Sequence, residues 1–295
     1  MAAQEPATRK RRIKPPGETR VIVAPAGLGD TDALAADTIT RFADDPDFVT
    51  ALARGLAVLL ALSDRKRRMS IAQVSHLTGI PRAAARRSLH TLSKLGFVAV
   101  DDSRHFYLRP RVLSFSHAYL SSSPLAVQAQ PVLDRLGESL HEACSLGILD
   151  GDEIVYLARS ASSRIMSPAL NVGRRLPAYC TSIGHVMLAH LPPDALEAYL
   201  ARTRFQPYTD YTPTSPEKLR SLLHDVHEAG FAFASQQMEA RLCTLAVPVR
   251  DTGGNVVAGI NVILQGRLVA ASDMAARFAR PLQDAAMELG ASLLP

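Results

Sequence analysis

The stretch from Ile71 to Leu95, IAQVSHLTGIPRAAARRSLHTLSKL, constrains this chain more than any other. Its apolar spacing predicts a short helix, a tight turn at Gly79 and a second helix opening at Pro81. On that second helix Ala85, Ser88, Leu89, Leu92 and Leu95 share one stripe, while Arg82, Arg86, Arg87 and His90 share the opposite half. One face is built for a core and the other is cationic. Pro81 suits a first helical position because its missing N–H has no intrahelical partner there, and Gly79 supplies a backbone conformation closed to other residues. Two helices so joined form a helix-turn-helix, whose second helix is the one presented to a DNA major groove.

The flanking segments extend this unit. FVTALARGLAVLLALSD, from Phe48, predicts a first helix with Leu52, Leu56, Leu59 and Leu60 inward and Arg54 outward. Ser70 is placed to cap the next helix. After Gly96, FVAV and HFYLR read as two strands around a DDSR turn, a β-wing with Arg104 at its tip aimed at a minor groove or a phosphate. The expected DNA-contacting set is therefore Ser70, Pro81, Arg82, Ala83, Arg86, Arg87, His90 and Arg104.

Charge supports that assignment. Residues 48–112 carry 12 Lys and Arg against 3 Asp and Glu, whereas residues 123–295 carry 14 against 17. The net charge of +5 is concentrated in the helix-turn-helix segment, which would attract a polyanion in a salt-dependent way. At 295 residues the chain has room for two domains. No apolar run approaches a membrane span, no signal core follows the basic run Arg9 to Lys14, and the three cysteines are odd in number and far apart. The expectation is a cytoplasmic protein, nucleoid-associated when DNA-bound, without cofactor, disulfide framework or metal.

Four segments follow: a disordered basic extension at 1–46, a winged helix-turn-helix at 47–109, a linker helix at 110–122, and a second domain at 123–295. In the second domain an amphipathic helix from Val127 precedes two strands joined by a DGDE turn. A loop, GRRLPAYC, leads to a helix opening at Thr181-Ser182-Ile183-Gly184. Helices follow near 193–202 and 216–229, then the strands LAVPVR and VVAGINVIL, then a last helix from about Ser272. The predicted class is α+β, an antiparallel sheet flanked by helices.

If Thr181 caps its helix, the N–H groups of Ser182, Ile183 and Gly184 converge where the helix dipole favours an anion. A small carboxylate fits there, with Arg159, Arg164, Arg174 or Arg175 as a second anchor and Asn261 as a polar discriminator. Met166, Leu176, Tyr179, Thr244 and Ile263 complete the expected effector-binding set. Other chemistries are weaker. Ser182 and His185, with Cys180 nearby, lack a nucleophile-elbow pattern; His224, His227 and Glu228 read as a solvated helix face. No glycine loop that cradles phosphate is present.

After residue 46 the chain resembles the IclR family of bacterial transcriptional regulators. The matching stretches are FVTALARGLAVL, GIPRAAARRSLHTLSKLGFV, RHFYLRPRVLSFSHAYL, LDGDEIVYLAR, GRRLPAYCTSIGHVMLA and LAVPVRDTGGNVVAGINV. FVTALARGLAVL and RLPAYCTSIGHVMLA look closest to the PcaR/PcaU/PobR subgroup, which regulates aromatic-acid and β-ketoadipate catabolism. The resemblance implies a winged helix-turn-helix joined by a helix to a GAF-like effector-binding domain, assembled as a homodimer or dimer of dimers on double-stranded operator DNA. The ligand it implies is a small aromatic or dicarboxylic acid. Departures occur at Gln236 and Gln237, where the family often has acids, at Arg241 for glycine, at Cys243 for arginine and at His185 for a basic residue. They are expected to line or border the cavity. The competing classes are an enzyme or metabolite-binding protein acting on a carboxylic acid with an accessory DNA-binding domain, and a structural chromatin protein. The first lacks acid/base pairs and the second leaves the large domain without a role.

Overall fold

The computed structural model describes residues 35–63, 68–160 and 171–293. Helix α1 (Ala35–Thr40) packs on α2 (Thr50–Ser63), and Ala35 and Ile39 are buried in the same core as Val58, Val74 and Leu89. The extension therefore contributes a helix to the first domain; its few apolar residues gave the sequence too short a period to show it. Helix α3 (Ile71–Thr78) starts in a capping box: Ser70 Oγ accepts from Gln73 N, and Gln73 Oε1 accepts from Ser70 N. It ends at Gly79 with φ of 71°, and α4 (Arg82–Lys94) follows. Strands β1 (Val98–Val100) and β2 (Phe106–Leu108) form the wing, and Met69 pairs with Phe106 as a third short edge.

Helix α2 turns a different face inward from the one its leucines suggest. Ala53, Ala57, Val58, Ala61 and Leu62 are buried, while Leu52, Leu56 and Leu60 are 61%, 47% and 45% exposed and Leu59 is half-buried. The helix is apolar nearly all round, so periodicity alone does not choose its face; the alanines do, because they allow α3 and α4 to approach closely. On α4 the expected stripe holds at Ala85 and Leu89, whereas Leu95 at its end is 52% exposed.

A short 3-10 turn (Pro110–Val112) leads to α5 (Leu113–Ser122), which buries none of its own residues. It is tied to the first domain where Phe115 stacks on Phe97 (centroids 5.6 Å apart) and Arg111 donates to the carbonyl of Leu95. Ser123 then caps α6 (Pro124–Leu140) by accepting from Ala126 N.

In the second domain β3 (Ala143–Asp150), β4 (Glu153–Arg159) and β5 (Arg175–Pro177) precede α7 (Ser182–Leu188), α8 (Pro193–Arg202) and α9 (Pro216–Ala229). Strands β6 (Ala232–Ser235), β7 (Leu242–Arg250) and β8 (Val256–Gln265) complete an antiparallel sheet in the order β5-β4-β3-β8-β7-β6. Helices α10 (Ala271–Met274) and α11 (Arg280–Gly290) are joined through a π-turn at Ala275–Ala279. The wider turn sits just before Pro281, whose ring would crowd the carbonyl four residues earlier in a regular helix. One sheet face packs on α6 and α11 through Leu146, Leu245, Ile260 and Val262. The other packs on α7 and α9 through Ala143, Tyr156, Ala246 and Ile263.

Candidate functional site

Register fixes what lies beneath α7. Arg159, Ser145, Asn261 and Ala246 occupy one cross-strand row, and Ala143, Ile263, Thr244 and Ala234 the next. A cavity of about 30 Å³ lies between these rows and the start of α7, lined by Tyr156, Leu176, Cys180, Thr181, Ser182, Ala234, Gln237, Met238, Leu242, Thr244, Asn261 and Ile263. Six residues expected from the sequence meet here: Leu176, Thr181, Ser182, Thr244, Asn261 and Ile263. Gln237, expected at the cavity as a departure from the family pattern, lines it too, whereas Tyr156, Cys180, Ala234, Met238 and Leu242 were not foreseen. Ala234 is on β6, a strand of only four residues with little sequence signal, but Leu242 stands two residues before Thr244 and shares its face by simple alternation.

The remaining expected residues stand elsewhere. Ile183 points at the sheet, where a methyl added to Gly259 would come within 3.0 Å of it. Gly184 abuts the next layer: any side chain there would fall onto the carbonyl of Ala178. Tyr179 is buried behind the wall, its hydroxyl donating to Gln206 O (3.0 Å) and accepting from Gln206 N (2.8 Å). Arg159 lies beside Tyr156, and desolvation lowers its pKa, partly offset by that tyrosine. Met166 and Arg164 lie outside the described residues. Arg175 is engaged by Asp150 (2.7 Å) and Glu153 (2.6 Å) on the far edge of the sheet.

The anion site expected at α7 is smaller than the sequence suggests. Thr181 caps the helix, but its Oγ1 accepts the Gly184 N–H at 3.2 Å, so that donor is already used. Only Ser182 and Ile183 of the expected three keep uncapped N–H groups at the helix start.

Several polar atoms here have no hydrogen-bond partner among the described residues: Ser145 Oγ, Ser182 Oγ, Asn261 Oδ1, Gln237 Oε1 and His185 Nδ1. Unpaired buried polar atoms are costly; of these five residues, Ser182, Asn261 and Gln237 line the cavity and Ser145 and His185 do not. Burial pushes the Tyr156 phenol up to about 12, against a hydrogen bond from Asn261. Burial also pushes His185 down to about 4, so it is neutral, and its Nε2–H donates to the carbonyl of Tyr179 at 2.9 Å. No hydrogen bond joins Ser182 Oγ to His185, whose Nε2–H is spent on Tyr179, so the two do not form a nucleophile–base pair. Cys180, its thiol raised by burial, is not a thiolate either.

In the first domain Arg82, Ala83, Arg86, Arg87 and His90 are exposed along α4, and Arg87 also borders an open groove against Leu52 and Leu56 of α2. Pro81 is exposed at the helix start, and Ser70 is used as a cap. Arg104 sits at the wing turn with φ of 60°. Among the described residues no cluster of three metal-ligating side chains occurs, and no helix is long and apolar enough to cross a membrane.

Two family profiles match this arrangement: "IclR helix-turn-helix domain" over residues 51–102 and "Bacterial transcriptional regulator IclR C-terminal" over residues 117–291. The chain belongs to the IclR family. It is 47% identical over 258 residues to the "Pca regulon regulatory protein" of Pseudomonas putida, covering 87% of this chain and 88% of that one. It is 34% identical to the "p-hydroxybenzoate hydroxylase transcriptional activator" of Acinetobacter baylyi, covering 74% and 82%. An IclR homologue from Microbacterium hydrocarbonoxydans, solved with 4-hydroxybenzoate, shares the fold with a TM-score of 0.66 at 24% identity, covering 81% and 97%. IclR proteins are transcriptional regulators, and this chain is one with a DNA-binding and an effector-binding domain.

Of the departures from the IclR pattern, only Gln237 lines the cavity. Gln236 Oε1 instead accepts from Arg241 N at 3.2 Å, and Arg241 holds φ of 61° where the family's glycine carries no side-chain penalty. Cys243 faces the opposite core, against α6 and α11. For Cys243 strand alternation is the reason, since it is one residue out of step with Thr244.

Proposed function

We propose that this chain switches transcription of a catabolic operon when a small organic acid, aromatic or dicarboxylic, occupies the site under α7, widening its cavity of about 30 Å³ to enter. The carrying observation is the set of buried, unpartnered atoms on Ser182, Asn261 and Gln237 facing one space, in a domain joined by α5 to a winged helix-turn-helix. The names of the relatives support aromatic-acid catabolism as its setting. The protein acts on double-stranded operator DNA in the cytoplasm, with Arg82, Arg86, His90 and Arg104 on the DNA side. It works as at least a dimer: α5 buries none of its own residues, and Leu113 and Tyr119 on it, like Leu52 and Leu56 on α2, leave apolar surface that a second copy would cover.

The test is a thermal-shift comparison of the full chain with 4-hydroxybenzoate, 3,4-dihydroxybenzoate, β-ketoadipate and short keto-acids. A ligand at 100 times its Kd stabilises by about 2.7 kcal/mol. If none of them raises the melting temperature, this reading of the ligand fails.

A further inference from the structure

The wing carries a second cation that the helix-turn-helix reading does not use. Arg68 lies just before Met69, which exchanges both backbone hydrogen bonds with Phe106 (3.0 and 2.7 Å), so it rides on the edge of the wing. Its guanidinium stacks 4.6 Å over the ring of Tyr107, and its Nη1 donates to Asp101 Oδ2 at 3.0 Å. The side chain nonetheless remains 60% exposed.

Asp101 is itself fixed. Its Oδ1 accepts from His105 N at 2.9 Å, and its backbone closes the wing turn with Arg104 and His105. The hydrogen bond from the His105 backbone, followed by that from Arg68, holds its carboxyl below the usual carboxylate range. Two of the three acids in residues 48–112 are Asp101 and Asp102, both in this turn. Left alone, they would repel a phosphate from the edge that a wing offers to DNA. Arg68 covers one of them and still has donors to spare, because a guanidinium carries five N–H groups in a fixed fork. A long side chain already held by a ring and a carboxylate has little rotamer entropy left to lose on meeting an anion.

We infer that Arg68 is a DNA-phosphate contact carried by the wing, aimed by Asp101 and Tyr107. Such a contact adds affinity and counterion release without reading sequence. It is distinct from the base-facing arginines of α4.

The experiment compares the full chain with its Arg68→Gln and Arg68→Lys variants on a duplex of arbitrary sequence, with affinity followed against salt concentration. Arg68→Gln should bind several-fold more weakly, and the slope of log affinity against log salt should become shallower by about 0.9 for each bound copy of the chain. Arg68→Lys should restore the slope while recovering only part of the affinity, because it keeps the charge and loses the fork. An unchanged slope in Arg68→Gln overturns the inference, whatever happens to affinity. So does a shallower slope that Arg68→Lys leaves unrestored, which would mean that the side chain only braces the wing.

Discussion

Gln130 Nε2 donates to the carbonyl oxygen of Arg159 at 2.8 Å, so a side chain of α6 holds the last residue of β4. Arg159 stands beside Tyr156 of the cavity wall, and α6 continues back through Ser123 to α5. The hydrogen bond joins the end of β4 to α6, the helix that directly follows α5. Gln130→Leu should therefore cost about 1 kcal/mol of stability and shrink the ratio of DNA affinities with and without a stabilising acid. Titration of DNA at saturating and zero acid measures that ratio. A variant with the wild-type ratio removes Gln130 from the coupling.

His185 makes stability depend on pH. Its folded pKa is depressed to about 4 by burial, while the unfolded chain binds the proton near 6.5. Above pH 6.5 both states are neutral and nothing is lost. As pH falls from 6.5 toward 4 the unfolded state takes the proton first, so stability declines by an amount on the order of 3 kcal/mol and then levels off. Calorimetric melts of the wild type should show this slope, and His185→Gln should flatten it. Equal slopes in both proteins would place the proton elsewhere.

Gly184→Ala should be far more damaging than a helix propensity scale suggests. Alanine is the better helix former, yet its methyl would meet the backbone of Ala178, which cannot rotate away. A loss of about 1–3 kcal/mol is expected in urea denaturation, the cost of overpacking a closed site. Gain of stability would show that α7 can lift from the turn before it.

Arg86→Ala should weaken binding to the cognate operator by about 1–3 kcal/mol while leaving binding to arbitrary DNA much less affected. Competition binding with both duplexes separates the two. A uniform loss across sequences would assign Arg86 to a phosphate instead of a base.

The helix-turn-helix was legible because its turn, cap and charge all depend on residue identity: Gly79, Ser70 and the arginines of α4 each act locally. The effector wall was half legible. Thr181 and Asn261 announced themselves as polar residues in an apolar setting, but Tyr156 and Met238 look like ordinary core residues until the strands are put in register. The face of α2 was misread because leucine and alanine are both apolar, and only packing against α3 and α4 decides which of them turns inward. Strand β5 escaped because it has three residues and one buried side chain, Leu176. The anion site was overdrawn at Gly184 because the same cap that identifies the helix start also consumes one of its donors.

The stack of Phe115 on Phe97 and the bond from Arg111 to Leu95 make α5 an arm fixed at the DNA end, leaving Ser123 as its joint with the effector domain. At about 1.5 Å per residue, its ten residues form an arm roughly 15 Å long. A rotation of about 10° at Ser123 would carry the far end through roughly 2.5 Å, comparable to the rise between neighbouring base pairs. A side-chain adjustment too small to alter the fold of either domain would then be geared up into a change of register on DNA.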